Sequence, residues 1–309
     1  MKTLLVALGG NALLKKGEKA SVERQFKNVS EVSEKIAPLA KKYKLVITHG
    51  NGPQVGASLI RVEQALGKTY SLPLEILVAE TEAEIGYIIE QTLRNELRKN
   101  KICKSVGNIL TQIIVNKNDS AFKHPTKFIG PFYKKPEADK LKRKKIQIKQ
   151  DPRGDFRRVV ASPNPVKIVE SNIIKELSKH AIIIAAGGGG IPVYKKAGKL
   201  KGIEAVIDKD LASAVLASDI KASIFLILTD VKSVYLNFKK ENQKAIKKMN
   251  TKLAKQYLKQ EHFLDGSMKP KIQAAINFLQ KNKTGKVIIT SPEFLEKALK
   301  GKEGTLIIY

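Results

Sequence analysis

Short apolar runs recur along the chain, separated by longer stretches in which apolar residues fall every three or four positions. The runs at residues 3–8, 45–48, 109–115, 181–186, 223–228, 286–290 and 305–308 are rich in Ile, Val and Leu. Their length and composition predict strands buried on both faces. Helical spacing occupies residues 21–41, 79–98, 166–179, 208–217, 251–261 and 267–280. Strands of this kind alternating with helices predict an α/β fold with a mainly parallel sheet.

Two runs end in glycine turns, Leu8-Gly9-Gly10-Asn11 and Thr48-His49-Gly50-Asn51-Gly52-Pro53. A third leads into Ala186-Gly187-Gly188-Gly189-Gly190. In open parallel sheets ligands bind beyond the carboxyl ends of the strands. Glycine there lets backbone N–H groups approach an anion closely. One such turn reads as a tight connection; three at the same sheet edge predict a phosphate site.

The rhythm breaks between residues 117 and 158, which contain Pro125, Pro131, Pro136 and Pro152. From Lys123 to Arg158 there are 13 Lys or Arg against four acids. A connection this long means a lid, an inserted subdomain or disorder, and an inserted lid is the reading expected here. Its run Lys140-Leu141-Lys142-Arg143-Lys144-Lys145 reads as a solvated helix face.

The 309 residues carry 57 Lys or Arg and 29 Asp or Glu, a formal net charge of +28. Such a balance raises nucleic acid as a partner. Only eight of the cations are arginine, whose planar fork reads phosphates and bases, and the lysines are spread along most of the chain. Nucleic-acid binding is therefore not expected as the main function. Cys103 is the one cysteine, which suits a reducing compartment, and no apolar run is long enough for a membrane span. The apolar start of the chain reads as a strand leading to Gly9, not as a cleaved leader. A cytoplasmic protein is expected.

The sequence has no G-x-x-x-x-G-K-[ST], C-x-x-C, H-E-x-x-H or G-x-S-x-G. His49, His124, His180 and His262 are scattered without metal spacing, and none reads as a general base. Val206-Ile207-Asp208-Lys209-Asp210-Leu211 is more informative. A lysine between two aspartates at a strand-to-helix junction can be a helix cap with a solvated pair. It can equally be a cation oriented toward a phosphoryl group. Gly266-Ser267-Met268-Lys269-Pro270-Lys271 adds Lys271 beside a helix start.

Together these residues resemble the carbamate kinases of the amino-acid kinase superfamily. The resemblance runs from residue 3 to about residue 308 in unbroken order. It includes Ala7-Leu8-Gly9-Gly10-Asn11-Ala12, the 48–56 turn, Pro125-Thr126-Lys127 leading to Gly130-Pro131-Phe132, and Arg157-Arg158-Val159-Val160. It continues through residues 187–193, Glu204-Ala205-Val206-Ile207-Asp208-Lys209-Asp210, Thr229-Asp230-Val231, and His262-Phe263 leading to Ser267-Met268 and Lys271.

The resemblance implies a three-layer αβα sandwich forming a single domain over 1–309. An N-terminal lobe of about 1–180 would take carbamoyl phosphate and carry a lid at about 117–158. A C-terminal lobe of about 181–309 would take ADP or ATP. The implied reaction is ATP + carbamate ⇌ ADP + carbamoyl phosphate with Mg²⁺, serving ATP formation in arginine or agmatine breakdown. Gly9, Gly10, Asn11, Gly50, Asn51 and Gly52 would receive carbamoyl phosphate. Lys209, held by Asp208 and Asp210, would stabilise the transferring group, with Lys127 reaching in from the lid and Lys271 near the nucleotide phosphates. Asp230, Tyr235 and Met268 would line the nucleotide site. A homodimer without membrane contact is implied.

Three stretches depart from the family pattern. Ala79-Glu80-Thr81-Glu82-Ala83-Glu84 puts three carboxylates where the family has small or neutral groups, at a place expected to affect the dimer surface or the mouth of the site. Arg153 is displaced by one position, and Lys269 stands where glycine is usual. Two other readings remain open at this point: a kinase of the same fold for another small acid, and a basic nucleic-acid-binding or regulatory protein.

Overall fold

The computed structural model describes residues 1–10, 13–15, 18–151, 154–263 and 267–309. Asn11, Ala12, Pro152, Arg153 and Gly266, singled out above, lie outside them. The first half runs β1 (Lys2–Leu8), α1 (Val22–Ile36), β2 (Tyr43–His49), α2 (Gly52–Gln64), α3 (Leu74–Lys99), β3 (Val106–Ile109) and β4 (Gln112–Val115). An inserted unit follows: β5 (Lys127–Tyr133), α4 (Lys135–Arg143), β6 (Ile148–Gln150) and β7 (Phe156–Val160). Then come β8 (Pro165–Ile168), α5 (Ser171–Leu177), β9 (Ile182–Ala185), β10 (Ile191–Lys196), β11 (Lys199–Gly202), α6 (Lys209–Asp219) and β12 (Ile224–Leu228). The chain ends with β13 (Val234–Leu236), β14 (Lys244–Ile246), β15 (Lys248–Asn250), α7 (Thr251–Lys259), α8 (Met268–Lys281), β16 (Lys286–Thr290), α9 (Leu295–Leu299) and β17 (Thr305–Ile308).

The central sheet has eight strands in the order β15-β17-β16-β12-β1-β2-β9-β3. All its pairings are parallel except β16 with β17. Alternation along β1 explains the layers. Leu5 and Ala7 face one core, shared with Phe225, Ile227 and Phe278. Leu4, Val6 and Leu8 face the other, shared with Val29, Ile85 and Leu93 from α1 and α3. With both faces covered, a strand carries apolar residues at every position, as the sequence shows. Each fully buried Leu, Ile or Phe contributes roughly 1.5–3 kcal/mol.

Two expected elements divide. The run at 109–115 is not one strand: β3 ends at Ile109, and β4 belongs to a second sheet ordered β11-β10-β4-β8. Leu110 is exposed, and the Thr111 hydroxyl donates back to the Ile109 carbonyl at 2.7 Å, so the chain turns between the sheets. The helix expected over 166–179 is β8 followed by α5. Apolar residues there satisfy both periods, and antiparallel pairing of β8 with β4 decides in favour of strand.

The inserted unit forms its own sheet, ordered β5-β7-β6. It rests on α2 through two glycines. Gly130 has φ +71°, and a Cβ on Gly56 would fall 2.0 Å from the Gly130 Cα. The Arg157 guanidinium donates to the Gly130 carbonyl at 3.0 and 2.7 Å and pairs with Asp151, while Arg158 pairs with Glu63 of α2. Lys140, Lys142, Arg143, Lys144 and Lys145 are exposed, as expected. Among the described residues, no helix is long and apolar enough to cross a membrane.

Gly56→Ala should force β5 off α2. Overpacking of this kind costs about 1–3 kcal/mol. Urea denaturation should show that loss, and an unchanged midpoint would mean that the contact is slack.

Candidate active site

Parallel register brings the carboxyl ends of β12, β1, β2 and β9 to one edge. There the chain leaves as Thr229-Asp230, Gly9-Gly10, Gly50-Asn51-Gly52 and residues 186–190. Gly9 is buried, and a Cβ on it would lie 2.7 Å from the Leu228 carbonyl oxygen, so β1 and β12 must separate if any side chain is added. Asn51 is buried, and its amide donates to the Thr81 hydroxyl of α3 at 3.0 Å. Gly50 meets the stem of Lys209, whose Cδ lies 3.5 Å from a Cβ built there.

The Asp208-Lys209-Asp210 segment caps a helix, but its ion pairs at Asp210 are buried, not solvated. Asp208 is the N-cap of α6: its Oδ1 accepts from the N–H groups of Asp210 and Leu211 at 2.9 and 3.4 Å. Its Oδ2 accepts from the Lys127 ammonium at 2.6 Å, across 81 residues of chain. Asp210 holds two lysines. Oδ1 takes Lys209, and Oδ2 takes Lys271 of α8 at 3.1 Å. Burial works against both carboxylates, but the lysines outweigh it and hold Asp208 and Asp210 below the usual range. Burial lowers the Lys209 ammonium, whereas for Lys271 the attraction of Asp210 and Asp208 overcomes burial and raises it. Three ammonium groups on two carboxylates at a helix N-terminus leave a positive surplus, a setting for an anion.

Lys127, Asp208, Lys209, Asp210 and Lys271 thus form one cluster. Asp230 is exposed just after β12 and helps to raise Lys271. Met268 opens α8 one turn before Lys271 and packs on the core. Tyr235 in β13 lies against Phe238, ring centroids 6.0 Å apart. Among the described residues, no group of three or more His, Cys, Asp or Glu is arranged to hold a metal ion.

The structure adds contacts that the sequence did not predict. Thr48 and Ser213 share a buried hydrogen bond of 2.6 Å, and the Ser213 hydroxyl donates to the Lys209 carbonyl, tying β2 to α6. Glu82, expected at the mouth of the site or on a dimer surface, is fully buried. It lies on the stripe of Val78, Ile85 and Ile89 along α3, a spacing that was available in the sequence. His49 is also fully buried: Nδ1–H donates to the Gly50 carbonyl at 3.2 Å, and burial lowers the ring to about 4, so it is neutral. His180 is exposed.

The fold and this edge define a class, and comparison with known proteins places the chain in it. The model of the amino acid kinase family matches residues 2–291. The carbamate kinase of Thermococcus kodakarensis is 45% identical, over 100% of this chain and 99% of that one. Carbamate kinase from Giardia lamblia, solved with citric acid, superimposes with a TM-score of 0.94 at 37% identity, covering 99% of this chain and 98% of that one. The same enzyme solved with AMP-PNP gives a TM-score of 0.90 at 38% identity, with 99% and 98% covered. The chain belongs to the amino acid kinase family, on its carbamate kinase branch.

Lys209→Met should cut turnover by roughly 10²–10³, the loss typical of removing one transition-state charge donor. Nucleotide binding, measured by calorimetry, should persist. Near-normal turnover in a folded variant would reduce the segment to a helix cap.

Proposed function

We propose that the chain is a carbamate kinase, catalysing ATP + carbamate ⇌ ADP + carbamoyl phosphate. The observation that carries this reading is the similarity to carbamate kinases over the whole chain, at 45% identity to one of them. The ion cluster supplies chemistry that suits the reaction. Toward ATP, an oxygen of the ADP β-phosphate attacks phosphorus, and the bond from phosphorus to the carbamate oxygen breaks. Carbamate leaves as an anion with the bonding electrons, so no proton has to move. Such a transfer needs positioning and positive charge, not a general base.

In this reading Gly9, Gly10, Asn11 and Gly50-Asn51-Gly52 receive carbamoyl phosphate. Asp208 and Asp210 aim Lys127, Lys209 and Lys271 at the transferring group. Asp230, Tyr235 and Met268 line the nucleotide site. Mg²⁺ would neutralise phosphate charge and would arrive on the nucleotide, held mainly by phosphate oxygens and water, because Asp208 and Asp210 are already engaged by lysines. The unit at about 117–158 acts as a lid that brings Lys127 over the site and keeps water from a labile acyl phosphate. It belongs to an N-terminal lobe of about 1–180 that takes carbamoyl phosphate, and the lobe of about 181–309 takes the nucleotide.

The chain works as a cytoplasmic homodimer that forms ATP in arginine or agmatine catabolism. Support for self-association comes from Ile173 and Leu177, exposed one turn apart on α5, with Val166 exposed on neighbouring β8.

The test is ATP formation from ADP, Mg²⁺ and carbamoyl phosphate in a coupled assay, with acetyl phosphate as the poor control donor. A folded preparation without an ATP signal would remove the reading. Lys127→Ala should lower turnover and weaken carbamoyl phosphate binding while leaving ADP affinity nearly unchanged. Charge reversal across residues 140–145 should matter far less. The reverse ranking of the two variants would put the functional charge at the other end of the lid.

A further inference from the structure

The turn at residues 186–190 is the most constrained backbone at the sheet edge. Ala186 has φ +50°, a left-handed conformation unusual for a residue with a Cβ, and Gly188, Gly189 and Gly190 have φ +66°, +94° and +79°. The turn is also a wedge. A Cβ on Gly188 would lie 2.2 Å from the Asn51 Nδ2, and one on Gly189 would lie 2.3 Å from the Ile207 carbonyl oxygen. Asn51 belongs to the turn proposed to receive carbamoyl phosphate, and Ile207 immediately precedes Asp208. The position of the wedge therefore sets the distance between that turn and the ion cluster.

One side chain holds the wedge from below. Glu82 accepts from the Gly187 N–H through Oε1 at 2.9 Å and from the Thr111 N–H through Oε2 at 3.3 Å. Thr111 completes the clamp, its hydroxyl oxygen accepting from the Ala186 N–H at 2.8 Å. Gly187 leaves no free space beside Glu82: a Cβ there would lie 2.2 Å from His49 Nε2 and 2.9 Å from Glu82 Cγ. His49 Nε2 is itself buried with no hydrogen-bond partner among the described residues.

We propose that Glu82 is a positioning residue for phosphoryl transfer, fixing the 186–190 turn between Asn51 and Ile207 so that the acceptor turn and Lys209 stay in register. Its chemistry suits a clamp inside the protein. Burial pushes the carboxyl up to about 8, so at neutral pH it is uncharged, although its hydrogen bonds to Thr111 and Gly187 act in the opposite direction. The titratable groups facing it are Glu170, which also raises it, and neutral His49, which in turn faces Lys209. As pH rises through about 8, Glu82 gains a buried negative charge that neither neighbour compensates.

The experiment measures kcat and the KM values for ADP and carbamoyl phosphate from pH 6 to 10 in the parent, Glu82→Ala and Glu82→Gln. It rests on the carbamate kinase reading for its substrates. An inactive parent would refute that reading, whereas an active parent with indifferent variants refutes this one. Glu82→Ala removes both acceptors and should lower kcat about 10- to 100-fold, with the ADP KM within about twofold of the parent. Glu82→Gln keeps one carbonyl oxygen for Gly187 and should restore kcat to within about threefold at pH 7. The parent should lose kcat above about pH 8, and Glu82→Gln should not. The proposal is overturned by an unchanged kcat in Glu82→Ala, by an ADP KM that rises in step with the loss, or by a Gln variant as poor as Ala. Should Glu82→Ala not fold, the alkaline limb decides. Its disappearance in Glu82→Gln supports the clamp, and an identical limb in both proteins excludes Glu82 as its source and overturns the clamp.

Discussion

Three ammonium groups, those of Lys127, Lys209 and Lys271, are drawn together by the carboxylates of Asp208 and Asp210, and the candidate site depends on that arrangement. Two like charges 4 Å apart repel by about 4 kcal/mol at an effective dielectric constant of 20. Lysines gathered here without counter-charges would swing apart or lose their protons. Two carboxylates hold them and still leave one positive charge in excess, at the N-terminus of α6. That excess, added to the exposed N–H groups of a helix start, is a setting suited to an anion.

The fold's part is to bring remote segments to this point. Lys127 comes from the inserted unit, Asp208, Lys209 and Asp210 from the start of α6, and Lys271 from α8. Parallel pairing of β12, β1, β2 and β9 stacks their carboxyl ends, so four turns open on one edge. Glycine makes the edge compact: at Gly9, Gly187, Gly188 and Gly189 a side chain would collide with the neighbouring turn. Apolar layers on both faces of the sheet fix the edge against the helices.

Features encoded locally were legible in the sequence. Strand runs buried on both faces, three glycine turns and an Asp-Lys-Asp junction each depend on a few neighbouring residues. The break at Leu110-Thr111 was not legible, because an unbroken apolar stretch does not show that its two halves join different sheets. The β8 segment has a spacing that suits both periods, a helix is the expectation from it, and only pairing with β4 decides. The bond from Lys127 to Asp208 spans 81 residues, and residue type alone gave no sign of it beyond the family resemblance. Glu82 shows the opposite case. Its charge suggested the surface, while its place on the Val78, Ile85 and Ile89 stripe pointed inward. Backbone N–H groups waiting at Thr111 and Gly187 make the inward position tolerable.

The central claim is that the aspartates act through the lysines they hold. A double-mutant cycle in kcat between Lys209→Met and Asp210→Asn tests it most directly. If Asp210 serves to aim Lys209 and Lys271, the double variant falls no more than about threefold below the poorer single variant, because the second change removes a support whose main charge is already gone. If the two losses multiply, Asp210 acts independently of the lysine beside it, and the account of the cluster as an aimed set of cations is wrong.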